Sequence, residues 1–291
     1  MEQTAIVEVK SEEFRPGFFK KLMRNKLAMI GLAIVTIVLL VAIFAPYIAT
    51  HDPNKIDTLM AFRKPGQDGF LLGTDNYGRD LFSRIVYGAR VSMIVSLSAV
   101  LIGGVIGSLL GLIAGYFGGI IDNVIMRIMD GFSAFPFILL AILLMTVLEQ
   151  GLLNVIIAIG IGNIPGFTRI VRGQVLSVKE EEYIEVQRSL GASNWRIMWH
   201  HILPNSMGPL VVHGTMSVAG AIISEASLSF LGLGIQPPTP SWGSILNDGR
   251  NFLFLNPEIA TISGLAILIT VLGINILGDG IRDALDPKLN D

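Results

Sequence analysis

Apolar residues run along this chain in long unbroken stretches, not in the short alternations of a half-buried sheet or the one-sided stripes of surface helices. A bilayer-spanning helix needs about 20 predominantly apolar residues. Six windows meet or approach that length: residues 27–48, 91–115, 132–148, 152–170, 207–233 and 259–278. The third window extends back toward Ile120, and Pro136 is expected to kink it. The fourth carries Asn154, Asn163 and Pro165, so it is expected to line a protein interior and not lipid. The pattern divides the chain into a polar tail (1–26), a first span (27–48), an external segment with an amphipathic helix (49–89) and a five-helix core (90–291). The first run leads into "FAPYIAT" without a small-residue cleavage site, so it reads as a retained span and not a leader.

Two polar interruptions stand out. In the external one, Gly73-Thr74-Asp75 and Gly78-Arg79-Asp80 mark turns. A helix lying on the outer surface is expected to follow, with Leu81, Ile85 and Tyr87 on its apolar side. The other spans residues 172–206 and contains "YIEVQRSLGASNWRIMWHHILPN". Ser177 and Glu180 fit a capping box and predict a helix start there. Tyr183, Val186 and Leu190 fall on one helical face, and Gly191 is placed to end that helix. Ser193 can cap a second helix, in which Trp195, Met198, Trp199 and Ile202 share a face. Pro204 can occupy the first turn of the next span. Two short helices cannot bury two tryptophans by themselves. Either the aromatics anchor among lipid headgroups, or they insert into a partner protein.

Within the second span, Gly103, Gly107, Gly111, Gly115 and Gly119 recur every fourth residue. Such a row lies on one face and admits close approach of another helix. Composition agrees with a membrane chain: 52% of the 291 residues are hydrophobic and only 15% charged, against about 25% charged in soluble domains. A net charge of −2 and no basic stripe exclude a nucleic-acid partner. No cysteine is present, which excludes disulfides and thiolate chemistry. With the N-terminus inside, the cytoplasmic side holds fourteen Lys and Arg, counting Arg169 at the inner end of the fourth window, and the external segments seven. The positive-inside rule therefore places the 172–206 segment, and both termini, in the cytoplasm.

That segment resembles the cytoplasmic "EAA" loop of ATP-binding-cassette importer permeases, which reads Glu-Ala-Ala, three residues, Gly, nine residues, Ile-x-Leu-Pro. Here Glu185-Val186-Gln187, Gly191 and His201-Ile202-Leu203-Pro204 occupy those positions. Val186-Gln187 replace the two alanines and His201 replaces the isoleucine. "LLGTDNYGRDLFSRIVYGARVS" (Leu71 to Ser92), "LSFLGLGIQPPTPSWGSILNDGR" (Leu228 to Arg250) and "LGDGIRDALDPKL" (Leu277 to Leu289) are similar to segments of the dipeptide, oligopeptide and nickel permease family. The resemblance implies an all-α chain of six transmembrane helices with the type I importer, methionine-permease-like fold, in a bacterial plasma membrane. It implies a second permease subunit, two ABC ATPase subunits that carry the ATP and Mg2+, and an extracytoplasmic binding protein. The implied cargo is a small peptide, with nickel complexes or glutathione as alternatives. The implied coupling loop to the ATPase comprises Tyr183, Glu185, Gly191, Ala192, Ser193, Trp195, Arg196, Met198, Trp199, Leu203 and Pro204.

The residues exclude catalysis by this chain. A phosphate-binding loop needs G-x-x-x-x-G-K-[ST], and no Gly-Lys pair occurs. Of the four histidines only His200 and His201 are close in sequence, and adjacent residues point to different helix faces, so no metal site is expected. Glu225 lies within the fifth span, where an ionisable group is costly and commonly functional. It either meets a cationic substrate or bonds to a neighbour such as Ser224 or Ser227. Asp122, Arg127 and Asp130 read as a solvated ionic face, and Trp242 as packing at the outer interface. A secondary transporter is the alternative of another class, but no inverted repeat is evident.

Overall fold

The computed structural model describes residues 18–285. Residues 1–17 of the polar tail and the last part of the Leu277–Leu289 similarity lie outside them. The described chain is helical with no strand. A short helix, α1 (Phe18–Arg24), turns at Asn25 into α2 (Lys26–Ile43), whose first amides are capped by the Asn25 side chain. A single turn, α3 (Ala45–Ile48), leads to a long polar connection. Then come α4 (Leu81–Phe117), α5 (Gly119–Ser133), α6 (Phe137–Leu148) and α7 (Leu152–Val178). The short helices α8 (Glu182–Ser189) and α9 (Asn194–Ile197) precede α10 (Leu203–Phe230). An amphipathic α11 (Trp242–Arg250) and α12 (Glu258–Leu285) complete the fold.

Among the described residues five helical stretches are long and apolar enough to cross a bilayer, and the α5–α6 pair makes a sixth crossing if its two halves count as one. That pair is bent by 90°, more than a kinked span. Pro136 donates no amide and disfavours helix at Phe135, so the chain leaves one helix and starts another. α7, by contrast, continues through Pro165. Beside it, Asn163 donates to the Ile159 carbonyl (2.8 Å) and Thr168 to that of Ile164 (2.9 Å).

The expected outer-surface helix does not exist as a separate element. Leu81, Ile85 and Tyr87 belong to the first turns of α4, which at 37 residues is about 55 Å long, well beyond the roughly 30 Å of a hydrocarbon core. Asp80 caps it by accepting from the Ser83 amide.

Four of the five ladder glycines form the α4–α7 contact. A Cβ on Gly103 would lie 2.7 Å from the Asn163 Cβ. On Gly107 it would lie 2.7 Å from the Ile164 carbonyl oxygen, on Gly111 2.5 Å from that of Thr168, and on Gly115 2.7 Å from the Val175 Cβ. Gly119 departs from the register because α4 ends at Phe117, and its Cβ would meet nothing. α2 packs on α12 through a similar close approach, Gly31 lying against the backbone of Gly273 and Leu277. Its remaining faces are largely exposed apolar surface, as a lipid-facing helix requires.

Candidate functional site

The helix pair between α7 and α10 is built from both ends. α7 runs on to Val178, so Ser177 lies inside a helix and cannot cap a new one. α8 starts at Glu182 with no side-chain cap. Glu182 and Glu185 in its first turn suit the helix dipole. Gly191 has φ +80° with open space around its Cβ position, the left-handed conformation that ends α8 without steric cost. Ser193 caps α9 by accepting from the Arg196 amide. Met198–Ile202 form a π-helical turn that passes directly into α10, with Pro204 in the first turn of that helix.

This wider turn changes which residues share a face. Met198 is only 4% exposed, Ile184, Ile197 and Ile202 are fully buried, and Trp199 is half-buried. They pack with Leu112 and Tyr116 of α4 and with Val171 and Val175 of α7, joined by Ala192. The predicted Trp195–Met198–Trp199–Ile202 stripe is therefore split. Trp195 is 65% exposed, its ring tilted by 52° to that of Trp199 with centroids 5.2 Å apart. Tyr183, Glu185, Val186, Leu190 and Arg196 also face outward. Ile184 and Ile197, the two pins of the pair, were not singled out by the sequence. They flank the stripes that were chosen, and only their burial distinguishes them.

Polar contacts fix the same junction. Tyr116 donates to the Asn194 side-chain oxygen at 2.8 Å, and Lys179 Nζ donates to the Gly115 carbonyl at 3.1 Å. Asn205 Nδ2 donates to the Tyr183 hydroxyl at 3.1 Å. Asp122 and Asp130 are not a free ionic face. Asp122 accepts from Arg172 at 2.5 and 2.6 Å, and Asp130 from Arg169 at 3.0 Å, tying α5 to α7, whereas Arg127 points outward. Leu203 is half-buried and Pro204 exposed where α10 begins.

Glu225 is 0% exposed. Its carboxylate accepts from Ser92 Oγ of α4 and from Ser229 Oγ, both at 2.8 Å. Ser92 Oγ in turn accepts from the Trp242 amide (3.4 Å), and Ser229 Oγ from the Ile235 amide (3.1 Å). Ser224 and Ser227, the expected partners, instead bond back to the carbonyls of Gly220 and Ile223. Glu225 thus joins α4, α10 and the segment leading to α11, with no surface open to a passing molecule. Glu225→Gln keeps the shape and one acceptor oxygen. It is expected to leave substrate affinity within about twofold while lowering the melting temperature of the purified complex by the loss of roughly one charge-assisted bond, about 1.5–3 kcal/mol. A large change in affinity with unaltered melting would show instead that the carboxylate meets substrate.

Opposite the helix pair, on the face carrying residues 49–80 and α11, lies an ionic cluster. Arg79 donates to Asp75 (2.6 Å) and Asp248 (2.9 Å), while Arg84 lies 3.4 and 3.6 Å from the same carboxylates. Burial pushes the Asp248 carboxyl above its ordinary range, opposed by the pull of Arg79 and Arg84. Gly78 allows this: with φ +74° its Cβ would collide with the Asp57 carbonyl. Trp242 is buried against Ala42, Ala89 and Met93, its indole donating to the Ile85 carbonyl at 3.1 Å, so it is no interfacial anchor.

A bundle of apolar spans with a short helix pair locked to three of them on one face is the architecture of a membrane-embedded subunit. Residues 107–291 match the family described as "Binding-protein-dependent transport system inner membrane component", and residues 17–65 match "N-terminal TM domain of oligopeptide transport permease C". The chain belongs to this family of inner-membrane transport components. It is 47% identical over 271 residues to the dipeptide transport system permease protein DppC of Alkalihalophilus pseudofirmus, covering 93% of this chain and 89% of that one. It is 48% identical over 273 residues to the glutathione transport system permease protein GsiD of Escherichia coli, covering 94% and 90%. Its fold is similar to that of a chain in an inward-facing structure of the MetNI methionine ABC transporter, with a TM-score of 0.57 and 22% identity over 70% of this chain and 96% of that one. An amino acid ABC transporter structure matches at a TM-score of 0.55 with 15% identity.

Proposed function

We propose that this permease subunit forms, with a second and different permease, the membrane path of an ATP-driven importer for small peptides. Two ABC ATPase subunits, which hold the ATP and Mg2+, bind on the α8–α9 face. An extracytoplasmic binding protein delivers cargo on the α11 face. Fourteen of the Lys and Arg residues against seven favour the α8–α9 face as cytoplasmic, with both termini on that side.

The observation that carries this reading is the two-sidedness of the helix pair. Its outward side presents Tyr183, Val186, Leu190 and Trp195, apolar bodies left uncovered by this chain. Its inward side is pinned by Ile184, Ile197 and Ile202 to α4, α7 and α10. A force applied to the outward side therefore reaches three spans through close-packed contacts, and α10 receives it through a continuous helix. The chain supplies the transmission and the path, and the chemistry stays with the ATPase.

The peptide assignment rests on whole-length similarity to permeases named for dipeptide and for glutathione, itself a tripeptide derivative. Purified complex in proteoliposomes, with binding protein added, is expected to accumulate a labelled dipeptide only with ATP. An excess of unlabelled dipeptides is expected to compete, and nickel chelate is not. Uptake that ignores ATP and collapses with a proton ionophore would instead identify a secondary transporter.

A further inference from the structure

The turn that joins the helix pair to α10 is wider than the helix on either side of it. Across Met198–Ile202 the chain is π-helical, and the Leu203 amide donates to the Met198 carbonyl, five residues back, where an α-helix would use Trp199. Helix continues through it from Asn194 to Phe230. Such a turn holds one residue more than the α turn it replaces. It therefore offsets everything before it by about 100°, the angle per residue of an α-helix. The side chains record the offset. Regular spacing back from Ile202 and Trp199 would carry Trp195 inward with them, and would turn Ile197 to the other side. Instead Ile197 is fully buried and Trp195 exposed.

Two neighbouring residues hold the turn in this form. Pro204 has no amide to donate, and in an α-helix its ring would strike the His200 carbonyl, four residues back. A missing amide alone does not widen a helix, since Pro165 and Pro209 lie within regular stretches of α7 and α10. At Pro204 a contact from outside the helix is added. Asn205 Nδ2 donates to the His201 carbonyl at 2.6 Å, inside the wide turn, and to the Tyr183 hydroxyl of α8 at 3.1 Å. Ser206 Oγ donates to the Ile202 carbonyl at 3.0 Å. The turn is braced from α8 while the proline withholds the α-type bond.

We propose that Pro204 is a positioning residue. With Asn205 it keeps Met198–Ile202 π-helical, and this sets which side of α9 meets a partner and which side meets the bundle. In the α register Trp195 would be drawn toward the cluster on α4 and α7, and Ile197 would leave that cluster and face out. An ATPase would then meet the wrong side of α9. That consequence presupposes the helix pair as the ATPase seat, whereas the rotational phase of α9 does not, and the phase is measured without the ATPase.

The test is thiol labelling of the full chain in unsealed membranes made without the ATPase subunits, using a water-soluble maleimide. The chain has no cysteine, so Trp195→Cys or Ile197→Cys supplies a single target. With Pro204 in place, Trp195→Cys is expected to react and Ile197→Cys to be protected. Pro204→Ala is expected to shift the ratio of the two rates toward Ile197→Cys by at least about tenfold, because a proline inside an α-helix biases the register by about a hundredfold. Deleting the exposed His200 together with Pro204→Ala removes the extra residue. A regular α-helix then carries the original phase, and the original ratio is expected to return, which a proline needed only for folding would not give. A ratio unchanged by Pro204→Ala overturns the proposal, since packing alone would then set the phase. Rapid labelling at both positions that the deletion does not reverse overturns it as well. A switched ratio with binding-protein stimulation of ATP hydrolysis intact in Pro204→Ala upholds the phase and counts against the helix pair as the ATPase seat.

Discussion

Gly111→Leu is expected to remove the folded subunit from the membrane. Even the first added atom falls 2.5 Å from the Thr168 carbonyl oxygen and 3.0 Å from the Arg172 amide nitrogen. Both are backbone atoms, so no side chain can swing aside, and α4 and α7 must part along their contact. Overpacking of a core costs about 1–3 kcal/mol where side chains can adjust. Here the obstacle is rigid, and the seam also carries the buried Val171 and Val175 that hold the helix pair. Parting the helices therefore dismantles the site along with the scaffold. Gly111→Ala is expected to retain a reduced amount of subunit with a lower melting temperature. Gly173→Ala, on α7 but with nothing within 4 Å of its Cβ, is expected to match the parent. Quantitative immunoblots of membranes and thermal melts of the purified complex read all three. Normal accumulation of the Gly111→Leu protein would show that the close approach is not what holds α4 to α7.

The sequence was legible where one physical rule acted alone. Length and apolarity located the five helices long enough to cross a bilayer, whereas the third window falls on the sharply bent α5–α6 pair. The four-residue spacing of Gly103, Gly107, Gly111 and Gly115 identified the face of α4 that α7 covers, because in lipid only close packing distinguishes one apolar face from another. Gly191 and Ser193 marked helix boundaries correctly because caps and breakers act locally, whereas the helix from Asn194 runs on through Pro204 without a break. The reading failed where two rules compete. Ser177 has the right neighbour for a capping box, yet the apolar residues of α7 continue past it and the longer helix prevails. Met198 and Trp199 fell on the Trp195 stripe by regular helical spacing, but a π turn begins at Met198 and rotates them inward. Trp242 looked like an interfacial anchor because tryptophan favours that depth, while the fold gives its indole N–H a buried carbonyl at Ile85. The Asp75–Arg79–Arg84–Asp248 cluster joins residues far apart in sequence, and no local spacing announces it.

The second large effect is expected at the outward side of the helix pair. Leu190→Ala with Trp195→Ala removes two large exposed apolar groups, 76% and 65% accessible in this chain, without touching the buried pins. Interfaces concentrate their binding energy in a few such residues, with truncation of one costing about 2 kcal/mol or more. Losing two is expected to weaken docking of the ATPase by at least about a hundredfold. The permease itself should accumulate and melt as the parent does. Met198→Ala makes the opposite case. It opens a cavity in the cluster that joins the helix pair to α4 and α7, and is expected to cost about 2–5 kcal/mol of permease stability while leaving the outward surface in place. The pair of variants separates a docking surface from a structural joint.

The most direct measurement is ATP hydrolysis by the reconstituted complex with peptide-loaded binding protein, comparing the parent with the Leu190→Ala, Trp195→Ala double variant. The account predicts that stimulation by the binding protein disappears and that the ATPase subunits no longer co-purify with an otherwise intact permease. Full stimulation with normal co-purification would contradict it, and would leave Leu190 and Trp195 as anchors among lipid headgroups.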